Sequence, residues 1–265
     1  MQKIFKFTTG VLLASLCILA APTPRASAAD APPAPAATQP LSQDSSVDQI
    51  LDALDNLGQK FKDFTADVRS TDTDGVTGDS TTNIGNVLFQ RTAAHDARVR
   101  VHFTQKDNGG PNLLPEDHTY TLDQGVAVER DYKLKKQITT QILKPGEHMD
   151  LMKLGGPFPL PIGQKKEDVQ AIFDVTKIPA AKDDPPGTIH LQLKPKPDSQ
   201  YSKQYQSVDI FVDLKTAMPR RIDTLDHNGT TQKSTELKNV KIDVGLGDQD
   251  FSEPKLPPGW VDVIE

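Results

Sequence analysis

The chain has 265 residues, a quarter of them charged, with 36 acidic against 30 basic residues and a net charge of −6. That balance argues against nucleic acid or anionic headgroups as the main partner, because either would be met by clustered Lys and Arg. Its only cysteine, Cys17, cannot form an internal disulfide, so stability must come from an ordinary hydrophobic core.

Residues 1–29 read as a secretory signal peptide. Lys3 and Lys6 give the positive start, Val11 to Ala21 the apolar run, and Ala26-Ser27-Ala28 or Ser27-Ala28-Ala29 the small-residue cleavage pattern. As a membrane anchor the run is short, since a spanning helix wants about 20 apolar residues; left uncleaved, it would tether the rest of the chain to the inner membrane. Cys17 lies inside the run behind Ala14-Ser15-Leu16, a poor lipid-attachment pattern, so a soluble exported form is expected. Cleavage would remove Lys3, Lys6 and Arg25 and no acid, making the mature chain more acidic still. Residues 30–44 form a Pro/Ala-rich linker, with too little apolar surface to fold.

Residues 45–265 then suffice for one domain. Ser46 and Gln49 make a capping box, and Val47, Ile50, Leu51, Leu54, Leu57 and Phe61 recur at helical spacing, predicting an amphipathic helix. From Phe64 the period becomes two. Phe64, Ala66 and Val68 alternate with polar residues, as do Val87 and Phe89, then Val99, Val101 and Phe103. Tyr120 and Leu122 turn through Asp123-Gln124-Gly125 into Val126 and Val128, with Leu134, Ile138 and Ile142 on the next strand.

The stretch from Asp150 to Gly163 fits neither period. Its apolar residues are packed among glycines and prolines, predicting a short helical turn and an irregular apolar loop, with a second short helix over 165–172. Strands resume with Ile189, Leu191 and Leu193, then Val208, Ile210 and Val212, Ile222 with Leu225, and Leu237, Val240 and Ile242. Asn228-Gly229 predicts a tight hairpin, both residues tolerating positive φ; the sequon it begins is better explained by the turn. The fold expected is mainly β: an antiparallel sheet of about ten strands, curled, with one long helix and short helical pieces over its apolar face.

No catalytic signature accompanies this pattern. The six histidines are scattered without metal-ligand spacing, and no nucleophile elbow, Walker loop or dinucleotide fingerprint occurs. No enzyme activity, metal or cofactor is therefore expected. Asp72-Thr73-Asp74-Gly75 lacks calcium-loop spacing and reads as a turn, and Lys133, Lys135 and Lys136 read as a solvated strand face.

An ordered series of landmarks runs from Val47 to Val263. The helix enters the strand Phe64–Ser70; a Gly-x-x-x-Phe-x-Arg strand, Gly85 to Arg91, precedes an Arg-x-Arg-Val-x-Phe strand, Arg98 to Phe103. Later come Leu122-Asp123-Gln124-Gly125, Leu193-Lys194-Pro195-Lys196, Met218-Pro219-Arg220-Arg221-Ile222, and Phe251 with Pro257-Pro258-Gly259-Trp260. In this order the chain resembles the LolA-like outer-membrane lipoprotein carrier superfamily.

The resemblance implies an unclosed antiparallel β-barrel, its concave apolar face capped by lid helices, that carries acyl chains of lipoproteins or other lipids through the periplasm. Phe89, Val101, Phe103, Leu122, Leu191 and Ile210 would line the lipid cavity, and Leu151, Met152, Leu154, Phe158 and Leu160 would form the lid. Arg91 matches an arginine that hydrogen-bonds the lid when closed, although Thr92 stands where a proline usually follows and Thr71 to Ile84 is longer and more polar than usual. The implied partners are an acylated lipoprotein or lipid, an inner-membrane donor complex and an outer-membrane acceptor, with the carrier itself a monomer. The same fold also serves as an envelope sensor that recognises lipoproteins, normally with a second domain, for which Glu265 leaves no room.

Overall fold

The computed structural model describes residues 40–93, 96–142 and 162–265, all within one compact unit, Thr38–Glu265. The expected signal peptide and most of the linker lie outside the described residues, as do all five expected lid residues, Leu151, Met152, Leu154, Phe158 and Leu160. Helix α1, Val47–Lys60, starts where the sequence predicts: Ser46 accepts the Gln49 N–H at 3.3 Å while the Gln49 side chain accepts the Ser46 N–H at 2.8 Å. Its apolar stripe, Ile50, Leu51 and Leu54, is buried.

Among the described residues twelve strands form one sheet. Strands β1 (Asp63–Asp74), β2 (Ser80–Ala93), β3 (Asp96–Asp107), β4 (Leu114–Asp123), β5 (Val126–Asp131) and β6 (Lys136–Gln141) come first. After α2 (Lys166–Ile172) follow β7 (Phe173–Ile178), β8 (Thr188–Pro195), β9 (Tyr205–Asp213), β10 (Pro219–Asp226), β11 (Thr231–Ile242), helix α3 (Asp248–Phe251) and β12 (Val261–Ile264). The spatial order is β12-β6-β5-β4-β3-β2-β1-β11-β10-β9-β8-β7, so β12 and β7 are the two edges and the sheet is open. Every pairing is antiparallel except β12 with β6.

Four local readings change. Asp72, Thr73 and Asp74, read as part of a turn, belong to β1; the turn lies at residues 75–79, and hydroxyl pairs Thr71–Thr82 at 2.8 Å and Thr73–Ser80 at 2.9 Å cross the paired strands on either side of it. Leu134 does not lie on β6; it is exposed in the turn before it, where Asp131 accepts its N–H at 2.8 Å. At Asn228-Gly229 only Gly229 has positive φ, 70°, and the loop is held by Asp226, which accepts the N–H groups of Thr230 and Thr231. Ile222 and Leu225 lie three apart on a straight strand and therefore on opposite faces.

The two faces of the sheet are chemically distinct. The inner face, which α1 covers, carries Phe64, Ala66, Val68, Val87, Phe89, Val99, Val101, Leu191, Leu193, Val208, Ile210, Ile222 and Leu237, all in one core cluster with Ile50, Leu51 and Leu54 of α1. Phe61, Phe64 and Phe89 pack as an aromatic group at its centre, with centroids 5.0 to 5.9 Å apart.

The outer face is polar. Over β2 to β6 it is crossed by the segment following β11, which Asp63 receives by accepting the N–H groups of Val244, Gly245 and Leu246. Arg98 pairs with Asp248 at 2.7 Å and lies 4.6 Å from the Phe251 ring centroid. Glu253 then meets Arg130 at 3.0 Å, Arg100 at 3.9 Å and the Thr121 hydroxyl, three strands joined through one carboxylate.

Candidate functional site

The inner face is the candidate site, and cross-strand pairing orders it into rows. One row runs Phe64, Phe89, Val99, Leu122, Ala127, Thr140; the next runs Ala66, Val87, Val101, Tyr120, Glu129, Ile138. A third runs Val68, Gly85, Phe103, His118, Asp131, Lys136. The rows are apolar from β1 to β3; across β4, β5 and β6 Leu122, Ala127 and Ile138 alternate with the polar Tyr120, His118, Glu129, Asp131, Lys136 and Thr140.

Alternation puts the six expected cavity residues together on this face. Phe89, Val101, Phe103, Leu191 and Ile210 are buried and Leu122 is half-buried against the same cluster. Their neighbours in the cluster include α1 and Ile162, the latter fully buried where the chain enters the described residues again. Val126 and Val128, on the second strand of the expected hairpin, face the other way. The two-residue turn Gln124-Gly125, φ 49° and 76°, sets Leu122 opposite Ala127 and Tyr120 opposite Glu129, so the valines take the outer face.

Arg91, two residues beyond Phe89 on the same face, lies at the end of α1. Its guanidinium rests over two glycines in backbone contact. A Cβ on Gly58 would stand 2.2 Å from the Gly163 Cα, and one on Gly163 would stand 2.8 Å from Arg91 Nη2. The Gly163 N–H approaches the Leu54 carbonyl at 3.3 Å, completing the junction between α1 and residue 163. Burial lowers the Arg91 pKa, opposed by the charge of Asp55 on α1. Its expected hydrogen-bond partners, the lid residues, lie outside the described residues.

Sequence reasoning missed a polar group on this face. His118 Nε2 lies 2.9 Å from Glu129 Oε1, and the His118 and Tyr120 rings stack with centroids 4.6 Å apart. Burial first, then the nearby Glu129, Asp72 and Asp131 carboxylates, push the Tyr120 phenol pKa well above the ordinary range. The signal was present in the alternation, since 118 and 120 share a face, but Glu129 could be placed beside them only by the register across the turn. Among the described residues no three His, Cys, Asp or Glu side chains are grouped to hold a metal ion.

No family model and no curated protein matches the sequence. The chain is similar to several solved structures. A LolA superfamily protein from Nitrosomonas europaea is 11% identical over 79% of this chain and 99% of its own, with a TM-score of 0.33. A domain from Vibrio parahaemolyticus described as outer membrane lipoprotein-sorting is 11% identical over 77% of this chain and 95% of its own, TM-score 0.40. An uncharacterized conserved protein from Thermus thermophilus is 12% identical over 83% of this chain and all of its own, TM-score 0.47.

Proposed function

We propose that the protein is an exported, periplasmic carrier that binds the acyl chains of lipoproteins or other lipids on the inner face and delivers them to the outer membrane without covalent chemistry. The observation that carries this reading is the contrast between faces: three adjoining rows, apolar over β1 to β3, inside, and salt-bridged polar residues outside, on a sheet whose edge strands β12 and β7 are not paired with each other among the described residues. Such a sheet can part from α1 and admit a flexible apolar chain without breaking its strand pairing.

The energetics suit a carrier. Each buried methylene is worth about 0.8 kcal/mol, so a long acyl chain would contribute several kcal/mol, offset by the apolar contacts it displaces between α1 and the sheet. Near-cancellation permits release as well as capture. Export rests on the residue 1–29 pattern, and delivery would need an inner-membrane donor and an outer-membrane acceptor acting on a monomeric carrier.

A fluorescent fatty-acid probe tests the binding step. Wild type should take up the probe with saturation, and Leu122→Asp, which places a charge on a half-buried position of the inner face, should weaken binding at least tenfold while unfolding remains cooperative. Equal binding by both proteins, or none by wild type, would defeat the reading.

A further inference from the structure

We infer that His118, Tyr120 and Glu129 form a headgroup subsite on the inner face, and that the head it takes carries a protonated amine. The inference rests on the acyl-chain reading above and adds the chemistry of the ligand's polar end.

The trio is joined by one hydrogen bond, one ring stack and one cross-strand pairing. A carboxylate only accepts, so His118 Nε2 carries the proton in its 2.9 Å contact with Glu129, and Tyr120 lies directly across from Glu129 in the β4–β5 pairing. Stacking of His118 on Tyr120 and an edge contact of Tyr120 on Phe103, centroids 6.1 Å apart, hold the unit against the apolar rows. The unit stands where the apolar rows end: its inner-face neighbours are Phe103, Val101 and Ile138, with Asp131 beside His118 across β5.

Position and charge define what would bind. His118 and Glu129 side chains are 18% and 39% exposed, so the carboxylate keeps an open side while His118 anchors the other. Among the described residues Glu129 has no Lys or Arg ion-pair partner. Nearby charges leave the balance negative: Asp72 is paired with Lys233 at 3.2 Å, Asp131 lies across from Lys136 and caps the N–H groups of Lys133 and Leu134, and both carboxylates act on Tyr120 along with Glu129. An acyl chain laid over Val101 and Phe89 would bring a head a few bonds beyond its end to Glu129. A primary ammonium supplies the donors and charge that Glu129 lacks; a sulfate or phosphate monoanion would meet repulsion.

Competition against the fatty-acid probe, using decylammonium, decanol and decyl sulfate below their micelle concentrations, tests this on the full protein. Wild type should bind decylammonium more tightly than decanol by roughly fivefold, the scale of a partly exposed charge pair, and decyl sulfate least. The preference should shrink as salt rises. In Glu129→Gln, which keeps an acceptor and the side-chain shape, the ammonium-to-alcohol ratio should fall to near one. Equal affinity for the ammonium and the alcohol in wild type, or a preference that survives Glu129→Gln, overturns the subsite while leaving acyl binding standing. Failure of all three amphiphiles to compete removes the acyl-chain reading and the subsite with it. Lysophosphatidylethanolamine against an N-acylated lysine peptide then separates a lipid amine from a lipoprotein's own ammonium.

Discussion

A methyl group on Gly85 would stand 1.9 Å from the carbonyl oxygen of His102 and 2.8 Å from the Phe103 Cα. The contact is backbone to backbone, at the point where the β2–β3 register shifts between Ile84 and Gly85, so no rotamer can relieve it. Gly85→Ala should cost about 3 kcal/mol or more, read as a lower urea midpoint at unchanged slope. Phe89 tests the opposite case, a fully buried ring stacked at 5.0 Å on Phe64. Phe89→Ala should destabilise by about 3–5 kcal/mol through lost burial and a residual cavity.

At the scale of elements, the sequence was informative wherever one period held for several residues. The α1 capping box, the Phe64–Val68 and Val99–Phe103 alternations and the Gln124-Gly125 turn are all local patterns. Leu237 and Val240 are instructive: three apart, they both pack toward the core because a bulge with Asn239 at φ 53° inserts one residue opposite β1. Nothing in the sequence marks that bulge. The outer-face crossing by residues 244–256 was equally illegible, because Arg98, Arg100 and Arg130 find Asp248 and Glu253 more than a hundred residues away. The inner-face trio failed for the related reason that a one-residue difference in register decides which residues of β5 face inward.

Several of the turns titrate. Asp74 is held below the ordinary carboxylate range by the N–H groups of Thr77 and Val76, and Asp226 by that of Thr231 with the Thr230 hydroxyl and N–H. In Asp213 burial acts upward but is outweighed by the N–H and hydroxyl of Thr216. A carboxyl depressed on folding stabilises above its unfolded pKa of about 3.9, and that contribution is lost as pH falls through the lower folded value. Asp223 runs the other way: burial raises it against Ser234 and Arg221, so its contribution is largest in acid and lost as pH rises through its raised value. The melting temperature should therefore fall between about pH 4 and pH 2, and Asp226→Asn should fall less steeply than wild type over that window. A parallel pair of curves would mean that the Asp226 turn is not a source of acid sensitivity.

For the whole molecule the decisive features are an open sheet, an apolar inner face under one amphipathic helix, and an outer face tied across by the chain's last segment. Glu253 joins β3, β4 and β5 from outside, so Glu253→Gln should raise amide exchange in those strands more than in β8 to β10, as followed by hydrogen exchange. The inner face is where function is claimed, and its apolar rows can serve either as a core alone or as a core that yields to a ligand. Organic extraction of the protein purified gently from its native cells, followed by mass spectrometry, distinguishes these most directly. The carrier account predicts stoichiometric acyl-chain species, lipid or acylated peptide, enriched over the same preparation of Leu122→Asp. An extract with no acyl species above that background, from protein that is folded, would contradict it.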